Sequence, residues 1–458
     1  MMAYKPSYYN FVKDYKGNKI IYNTKTGSIS IIDNQSSSKF MDILEAPGSD
    51  YETDELFHSM LEEGYIVESG KNEIDDLEEL SKMASMPSNV LRLTILPTET
   101  CNFTCPYCFI YTLRNHHMIA ETWEALYKLV KNFCERNKSE SGFLLNIVWY
   151  GGEPLIASDK ILSFMARINK LLNDYPNGTL NSNIVTNGYL LNYATFQKLC
   201  DVNVRSLQVT LDGDAENHDK MRTLPNKKPT FDTIYSNLLE ILQNVSENED
   251  FSFAIRCNFL KSSVPSSRRL LDKFKKDFGH DSRFHIYFRP VYNFETDRDT
   301  EDIAESDYYN MAEGVSMQND LLFSSGQDIK HEYKISNPLP EPLISWCDSV
   351  QQYAYIVGYD GSIYICDTLI TDCKDAVGFL KDDGSIELND NVKCWRKSIF
   401  ERDGEDDAES VEECIKCKLL PVCMGGCVRT RMDNKGKACF WDKDLIHKAM
   451  DEYAEAYG

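Results

Sequence analysis

Positive charge is scarce in this chain of 458 residues. The sequence has 49 Lys and Arg against 72 Asp and Glu, which gives a formal net charge of −23. Proteins that bind nucleic acid need clustered Lys and Arg to contact the phosphates, and no such cluster stands out here. We therefore expect no nucleic acid among the main partners.

Long apolar runs are missing as well. No window of about 20 residues is free enough of charge to span a bilayer. The first ten residues lack the apolar core and the cleavage site of a signal peptide. We therefore expect a cytoplasmic protein without a membrane partner, and the hydrophobic content of 42% predicts a folded core.

Cysteine, by contrast, is abundant, with 15 in the chain. In a cytoplasmic protein, cysteines are more often ligands or catalytic groups than disulfide partners. Their positions favour ligands, because three lie within residues 101–108 and five within residues 414–439.

The first group of cysteines follows an apolar run, residues 90–96, that is typical of a strand. It is a C-x3-C-x2-C motif formed by Cys101, Cys105 and Cys108. Three thiolates on one short loop can bind one face of an iron–sulfur cluster and leave one iron open to a small molecule. A structural zinc site is the alternative, but it needs a fourth ligand nearby, and His116 and His117 lack finger spacing. The motif therefore favours an open iron–sulfur cluster.

Strand-like and helical segments alternate from about residue 90 to residue 291. The predicted strands cover residues 91–96, 144–150, 182–186, 206–211, 253–259 and 284–288. The predicted helices cover residues 121–137, 159–172, 192–199, 231–243 and 266–278. This alternation predicts an α/β fold of parallel β/α units, closed or partly closed into a barrel, with its ligand site at the carboxyl ends of the strands.

Candidate binding residues follow the predicted strands. Gly151 and Gly152 allow close approach to the backbone, and Glu153 beside them can accept a hydrogen bond from an ammonium group. Arg256, on the fifth strand, can pair with a carboxylate. Alone, this glycine motif is also compatible with a simple turn. Together these residues predict a pocket for an amino acid headgroup.

The combination of motifs resembles the radical S-adenosylmethionine (SAM) enzymes over residues 90–290. The shared features are the three-cysteine loop with an aromatic residue at Tyr107, the Gly-Gly-Glu-Pro motif, and the Thr-Asn-Gly motif that contains Asn187. The resemblance implies a 4Fe–4S cluster whose open iron is chelated by the methionine moiety of SAM. Glu153 would bind the SAM amine and Arg256 its carboxylate. Asn187 would lie near the ribose and Tyr107 near the adenine.

In this family, one electron from the cluster cleaves SAM to methionine and a 5′-deoxyadenosyl radical, which removes a hydrogen atom from the substrate. The stretch after the fourth strand also matches the peptide-modifying branch of the family. Its residues His218, Asp219 and Arg222 either contact substrate or brace the barrel rim, and we favour bracing.

The second group of cysteines resembles the SPASM domain, which holds two auxiliary iron–sulfur clusters. The resemblance implies that one auxiliary cluster is bound by Cys414, Cys417, Cys423 and Cys439. It implies that the other is bound by Cys347, Cys366 and Cys427. This second cluster either has an open site or takes a fourth ligand from Cys373 or Cys394. The expected cofactors are thus three 4Fe–4S clusters and SAM, with a pair of zinc sites as the alternative in the SPASM segment.

The N-terminal segment predicts a winged-helix-like module. A hairpin at residues 19–23 and 28–32 precedes helices at residues 36–44 and 53–62 and a strand at 65–68. Residues 1–90 hold 8 basic and 16 acidic side chains, which argues against DNA binding. Beside a SPASM segment, this module resembles the leader-peptide recognition domain of enzymes that mature ribosomally made peptides. A packing module without a ligand is the alternative.

We expect four segments: a winged-helix-like peptide-recognition domain at 1–86, a partial (β/α)6 radical SAM barrel at 87–291, a bridge at 292–345 and the SPASM domain at 346–458. The expected function is a radical SAM peptide maturase that installs a cross-link in a precursor peptide. A thioether is favoured, and carbon–carbon bonding is nearly as well supported. The expected partners are the precursor peptide and an electron donor of the flavodoxin or ferredoxin type.

Two alternatives stay open. One is a formylglycine-forming enzyme of the sulfatase-maturase type, for which Asp367, directly after Cys366, matches the position of the proposed base in that family. The other is a non-catalytic zinc or iron–sulfur scaffold or sensor. The remaining cysteines Cys134, Cys200 and Cys257 lie in apolar contexts and are predicted to be core residues.

Overall fold

The computed structural model describes residues 3–85, 88–108, 110, 115–139, 141–293, 303–323, 338–345, 347–370, 373–402, 408–434 and 437–457. The chain divides into two compact units. The first comprises Met1–Met86, Lys334–Gln351 and Trp395–Gly458, and the second Pro87–Tyr333 and Gln352–Cys394. The segment predicted as SPASM thus contributes to both units. The division into four segments stays a prediction.

Fifteen strands and fifteen α-helices are seen in the described residues. The strands are β1 (Tyr4–Pro6), β2 (Asn10–Tyr15), β3 (Asn18–Asn23), β4 (Ile29–Ile32), β5 (Ile66–Glu68), β6 (Val90–Ile95), β7 (Phe143–Trp149), β8 (Gly178–Thr186), β9 (Ser206–Thr210), β10 (Ser252–Phe259), β11 (Phe284–Pro290), β12 (Ala354–Val357), β13 (Ser362–Tyr364), β14 (Gly378–Leu380) and β15 (Ile386–Leu388). The helices are α1 (Asn34–Glu45), α2 (Glu55–Glu62), α3 (Glu73–Ser85), α4 (Ala120–Asn137), α5 (Ser158–Leu172), α6 (Tyr193–Asp201), α7 (Ala215–Met221), α8 (Phe231–Asn244), α9 (Val264–Phe278), α10 (Met311–Phe323), α11 (Asn391–Arg396), α12 (Ala408–Ile415), α13 (Leu420–Cys423), α14 (Val428–Asn434) and α15 (Lys443–Tyr457).

The predicted parallel sheet is confirmed in the second unit. Strands β6 to β11 lie side by side in chain order, and each neighbouring pair is parallel. Burial alternates along each strand: in β10, Phe253, Ile255 and Cys257 are buried, while Arg256 between them is only partly buried. This period of two places the apolar side chains on one face and leaves polar side chains on the other.

The same sheet continues beyond β6. Strand β12 pairs in parallel with β6, with Ala354 opposite Arg92 and Val357 opposite Ile95. Strands β13, β14 and β15 then extend the sheet in antiparallel fashion, so that β11 and β15 form its two ends. The described strands thus form an open ten-stranded sheet, and the sequence did not predict the last four.

The first unit contains a small antiparallel sheet. Strands β2, β3 and β4 pair in order, which confirms the predicted hairpin, and β1 pairs with β5. The helices α1 and α2 bury Phe40, Ile43, Phe57 and Met60 in one cluster beside this sheet. The sequence did not predict β1 and β2, and the winged-helix resemblance stays a prediction.

Helices throughout the described residues are too short or too polar to cross a bilayer.

Candidate functional site

The cysteine loop directly follows β6. Cys105 is buried, while Cys101 and Cys108 are partly buried. The Cys101 sulfur accepts a hydrogen bond from the backbone N–H of Phe103 at 3.4 Å. Burial raises the pKa of the Cys101 thiol, and the charges of Glu153, Cys105 and Cys108 raise it further. The three sulfurs thus share one neighbourhood, as the sequence predicts.

The glycine motif packs directly against the cysteine loop. A Cβ atom on Gly152 would lie 2.3 Å from the carbonyl oxygen of Thr100, and one on Gly151 would lie 2.6 Å from that of Thr98. The Gly152 N–H donates to the Thr98 carbonyl at 3.1 Å, and the Glu153 N–H donates to the Thr100 carbonyl at 2.9 Å. The close backbone approach at these glycines is therefore to the chain's own cysteine loop.

Glu153 is fully buried and connects two strand ends. Its Oε1 accepts hydrogen bonds from the Leu155 N–H at 3.0 Å and the Thr186 hydroxyl at 2.6 Å. Its Oε2 accepts the Asn187 N–H at 2.8 Å. Burial raises the pKa of this carboxyl, and the hydrogen bonds oppose that rise. A carboxylate has about four lone-pair positions, so one acceptor position remains for an ammonium group.

Asn187 lies between Glu153 and the cysteine loop. Its side-chain amide donates to the Asn102 side-chain oxygen at 2.7 Å and lies 3.9 Å from the Cys101 sulfur. The site residues predicted from three separate motifs, Cys101, Glu153 and Asn187, are thus neighbours in space.

Tyr107 belongs to a buried polar network. Its hydroxyl donates to Asp212 Oδ2 and accepts from the Arg222 guanidinium at 2.7 Å. The Asn258 N–H donates to Asp212 Oδ1 at 3.1 Å, and Arg222 lies 3.9 Å from the Asp212 carboxylate. Burial raises the pKa of Asp212, and the Arg222 charge opposes this. The network anchors the cysteine loop to β10 and to the stretch after β9.

The predicted bracing role of His218 and Asp219 agrees with their contacts. His218 is fully buried; its Nδ1 accepts the Asp212 N–H at 3.1 Å, and its Nε2 lies 3.1 Å from the Thr230 hydroxyl. Since Nδ1 accepts, Nε2 carries the proton. Asp219 Oδ1 accepts the N–H groups of Thr230 and Phe231. Both side chains therefore hold the loop between α7 and α8.

Arg256 extends from β10 on the polar face of the sheet, and its Nε donates to Asn258 Oδ1 at 2.7 Å. The partly buried Tyr150 lies within the electrostatic influence of Asp367, Arg256 and Cys108. Burial, followed by the Asp367 charge, raises the pKa of the Tyr150 hydroxyl. Asp367, Arg256 and Cys108 thus all act on the same hydroxyl, that of Tyr150.

Four cysteines of the second group lie together in the first unit. The pKa of the Cys423 thiol is raised to about 12, mainly by burial, with smaller contributions from the charges of Cys417, Cys414 and Cys439. Cys414 is buried, whereas Cys439 is exposed. This grouping agrees with the ligand set implied by the resemblance.

The other predicted auxiliary site is divided between the two units. Cys347 and Cys427 belong to the first unit, and burial followed by the Cys427 charge raises the pKa of the Cys347 thiol. Cys366 and Cys394 belong to the second unit. The side chain of Cys373 lies outside the described residues. The ligand set of this site therefore stays a prediction.

The sulfur environments fit iron–sulfur ligation. Cys101 and Cys417 each accept a backbone N–H from the residue two positions later, Phe103 and Leu419. Hydrogen bonds to ligand sulfurs are a known determinant of cluster potentials. No three His, Cys, Asp or Glu side chains in the described ranges are arranged to hold a single metal ion.

Comparison with known proteins identifies the central part of the second unit. Residues 95–256 match the radical SAM superfamily. The chain contains a radical SAM domain. Its cysteine loop and Glu153 lie within the matched residues, and Arg256 is the last of them. Enzymes of this family use SAM and a 4Fe–4S cluster.

The relatives are similar over most of their length. The chain is 25% identical over 364 residues to a cysteine-type anaerobic sulfatase-maturating enzyme of Clostridium novyi, covering 75% of this chain and 89% of that protein. It is 22% identical over 432 residues to the radical SAM cyclopropyl synthase TigE of Paramaledivibacter caminithermalis, and this match covers 86% of this chain and 80% of that protein. A solved structure of anSMEcpe with bound AdoMet and a peptide superposes on this chain with a TM-score of 0.55 at 20% identity. The superposition covers 80% of this chain and 97% of that one, and it supports the fold.

The radical SAM domain holds functional candidates to which sequence reasoning gave no role. Asp212 and Asn258 anchor Tyr107, and Thr186 orients Glu153. Asp212 follows a predicted strand, and Thr186 precedes Asn187 in a motif already singled out. Their positions were visible in the sequence, but their partners were not. In the first unit, Arg431 contacts Cys414 without any motif to indicate it.

Proposed function

We propose that this chain is a radical SAM peptide maturase that installs a cross-link in a ribosomally made precursor peptide. The observation that carries the proposal is the joining of the cysteine loop, Glu153 and Asn187 by direct hydrogen bonds within a radical SAM domain. The sulfatase-maturating relatives, and a solved relative with both AdoMet and a peptide bound, support a peptide substrate.

Cys101, Cys105 and Cys108 would hold the 4Fe–4S cluster. When bound, the cluster reduces SAM by one electron, which supplies the radical that removes a hydrogen atom from the substrate. Glu153 has one acceptor position for the SAM amine. Arg256 offers guanidinium N–H groups for the SAM carboxylate. The network of Tyr107 with the buried Asp212 and Arg222 would fix the position of the cysteine loop.

A thioether is the favoured product. The peptide loses two hydrogens, one to 5′-deoxyadenosine and one as the proton of a cysteine thiol, while SAM is cleaved to methionine. The resulting sulfur–carbon bond leaves the peptide oxidised by two electrons, and SAM is the oxidant. Auxiliary clusters on the remaining predicted cysteines would carry the leftover electron, and a flavodoxin- or ferredoxin-type protein would supply the initial one. Carbon–carbon bonding has the same hydrogen balance.

Formylglycine formation is the second candidate. Asp367 lies close enough to Tyr150 to influence its hydroxyl, and Cys108 of the cysteine loop influences the same hydroxyl. The curated sulfatase-maturating relative also matches over 89% of its length. However, a quarter of this chain falls outside that match, and the N-terminal module is proposed to bind a leader peptide by strand addition.

The test is anaerobic reconstitution, followed by co-expression with a Cys-containing precursor peptide encoded beside the gene. Release of 5′-deoxyadenosine from SAM under reducing conditions supports the radical SAM activity, and no release would contradict it. A peptide that loses two hydrogens and one alkylatable thiol supports the thioether. If all thiols stay reactive, carbon–carbon bonding replaces it. A product that reacts with a hydrazide identifies formylglycine.

A further inference from the structure

Arg431, on α14 in the first unit, contacts one of the predicted cluster ligands. Its Nη2 donates a hydrogen bond to the Cys414 sulfur at 2.9 Å. Its Nε donates to the Gly425 carbonyl, and its Nη1 lies 3.5 Å from the Ser410 hydroxyl. The side chain is buried, with 7% of the residue exposed. The guanidinium is therefore held in one orientation by α12, which carries Ser410 and Cys414, and by the turn at Gly425.

Among the residues that the structure describes, the buried charge of Arg431 forms no ion pair with Asp or Glu. Its one hydrogen-bond partner there that can become an anion is Cys414. A buried cation without a counter-charge is unfavourable. A thiolate at Cys414 offsets this cost, and metal-bound cysteine is a thiolate. The charge balance thus agrees with a metal-bound Cys414.

Arg431 also acts on a second predicted ligand. The Gly425 peptide accepts from Arg431 through its carbonyl, while the backbone N–H of the same residue lies within the electrostatic influence of Cys423. Gly425 and Gly426 both have positive φ values, 86° and 74°. A Cβ atom on Gly426 would lie 2.1 Å from the carbonyl oxygen of Ala438, which precedes Cys439. The turn that Arg431 holds therefore lies against the segments of two predicted ligands, Cys423 and Cys439.

We propose that Arg431 positions the four-cysteine site and raises the reduction potential of its cluster. The inference rests on the proposed auxiliary cluster at Cys414, Cys417, Cys423 and Cys439. Reduction adds negative charge to a cluster, and a guanidinium N–H directed at a ligand sulfur stabilises that charge. Loss of Arg431 should therefore make the cluster harder to reduce.

The experiment uses the full chain with Cys101, Cys105 and Cys108 replaced by Ala, so that the radical SAM cluster is absent. After anaerobic reconstitution, iron and sulfide are counted and the potential is measured by EPR-monitored titration. A companion variant, Cys414→Ala, identifies the signal of the four-cysteine cluster. We expect Arg431→Met to lower the reduction equilibrium constant by about tenfold, which is about 59 mV for a one-electron couple.

The matched control is Lys437→Met. Lys437 lies within the electrostatic influence of Cys414 and Cys439, but its ammonium group pairs with Glu413. We expect a smaller shift from this variant, because it removes a nearby charge without removing a hydrogen bond to sulfur. A parental potential in Arg431→Met, or a shift equal to that of Lys437→Met, would overturn the proposal.

If Arg431→Met loses its iron while its circular dichroism spectrum stays native, Arg431→Lys replaces it in the potential measurement. Arg431→Lys keeps the charge but removes the planar hydrogen-bonding group. A loaded cluster with a lowered potential supports the proposal, and a parental potential contradicts it. If the triple-Ala parent binds no iron, the auxiliary cluster and this inference both fail. Release of 5′-deoxyadenosine by the wild-type chain tests the radical SAM activity separately.

Discussion

The buried carboxylate of Glu153 accepts the backbone N–H of Asn187 over 2.8 Å. This hydrogen bond joins the loop after β7 to the end of β8. Through the adjacent Gly152, the same loop is bonded to the cysteine loop. The ends of three strands are thus held together by hydrogen bonds within the chain itself.

Glu153→Gln should weaken SAM binding and destabilise the site. An amide nitrogen would have to face one of the N–H or O–H donors that now point at the carboxylate, and the charge that would attract the SAM amine is lost. An unsatisfied buried donor costs about 1–3 kcal/mol. Equilibrium dialysis with SAM measures the affinity. The exposed Glu216→Gln serves as a control, and equal affinity in both variants would contradict the role of Glu153.

Gly152→Ala should reduce iron loading of the radical SAM cluster. The new methyl group would lie 2.3 Å from the Thr100 carbonyl and 2.6 Å from the Glu99 carbonyl, so the cysteine loop must shift. Iron and sulfide analysis after reconstitution measures the loss. Gly142→Ala is the matched control, since its methyl would lie 3.7 Å from the Asn177 carbonyl, an ordinary contact. Full iron loading in Gly152→Ala would contradict this prediction, because it would mean that the glycine loop and the cysteine loop can move apart without loss of the cluster.

Asp212→Asn should destabilise the second unit by about 3 kcal/mol, because it leaves the buried Arg222 charge without its carboxylate. Tyr107→Phe should cost less, since it removes a hydroxyl but keeps both charges. Urea unfolding monitored by circular dichroism compares the two variants. The expectation fails if Tyr107→Phe is the more destabilising change.

Below about pH 6.5, the free energy of unfolding should decrease as the pH is lowered, partly because of His218. Burial, followed by the Arg222 charge, holds the pKa of His218 well below its usual value. Below about pH 6.5 the unfolded chain binds a proton at His218 that the folded chain does not bind, so protonation favours unfolding. The stability that neutral His218 contributes is fully present above that pH. As the pH falls below it, the free energy of unfolding decreases by up to about 1.4 kcal/mol per pH unit.

Urea unfolding of the wild type and His218→Gln at pH 7.5, 6.5 and 5.5 measures this contribution. The variant will be less stable throughout, so the informative quantity is the change in unfolding free energy with pH. We expect a shallower fall in the variant. If the unfolding free energies of the wild type and the variant fall equally with pH, groups other than His218 cause the acid sensitivity.

The sheet was predictable where burial alternates over five or more residues. In β10, four buried residues alternate with partly buried ones, and its predicted boundaries differ from the observed ones by one residue. By contrast, β1, β13, β14 and β15 have three residues each, too few to show a period. Their pairing depends on partners elsewhere in the chain.

The candidate site was predictable only as separate motifs. The cysteine loop, Glu153, Asn187 and Arg256 each follow from residue type and position at a strand end. The hydrogen bond between Tyr107 and Asp212 spans 105 residues, and that between Arg431 and Cys414 spans 17. No periodicity connects such positions, because the fold brings them together through several turns.

The pairing of β12 with β6 has a consequence for how the chain is made. During synthesis, β6 leaves the ribosome long before β12 exists, so one row of its backbone hydrogen-bonding groups stays uncovered while the rest of the parallel sheet assembles. Such an open edge can pair with another nascent chain. The cell must therefore protect β6 until translation passes residue 357, and ribosome stalling before that point would release a fragment prone to aggregation.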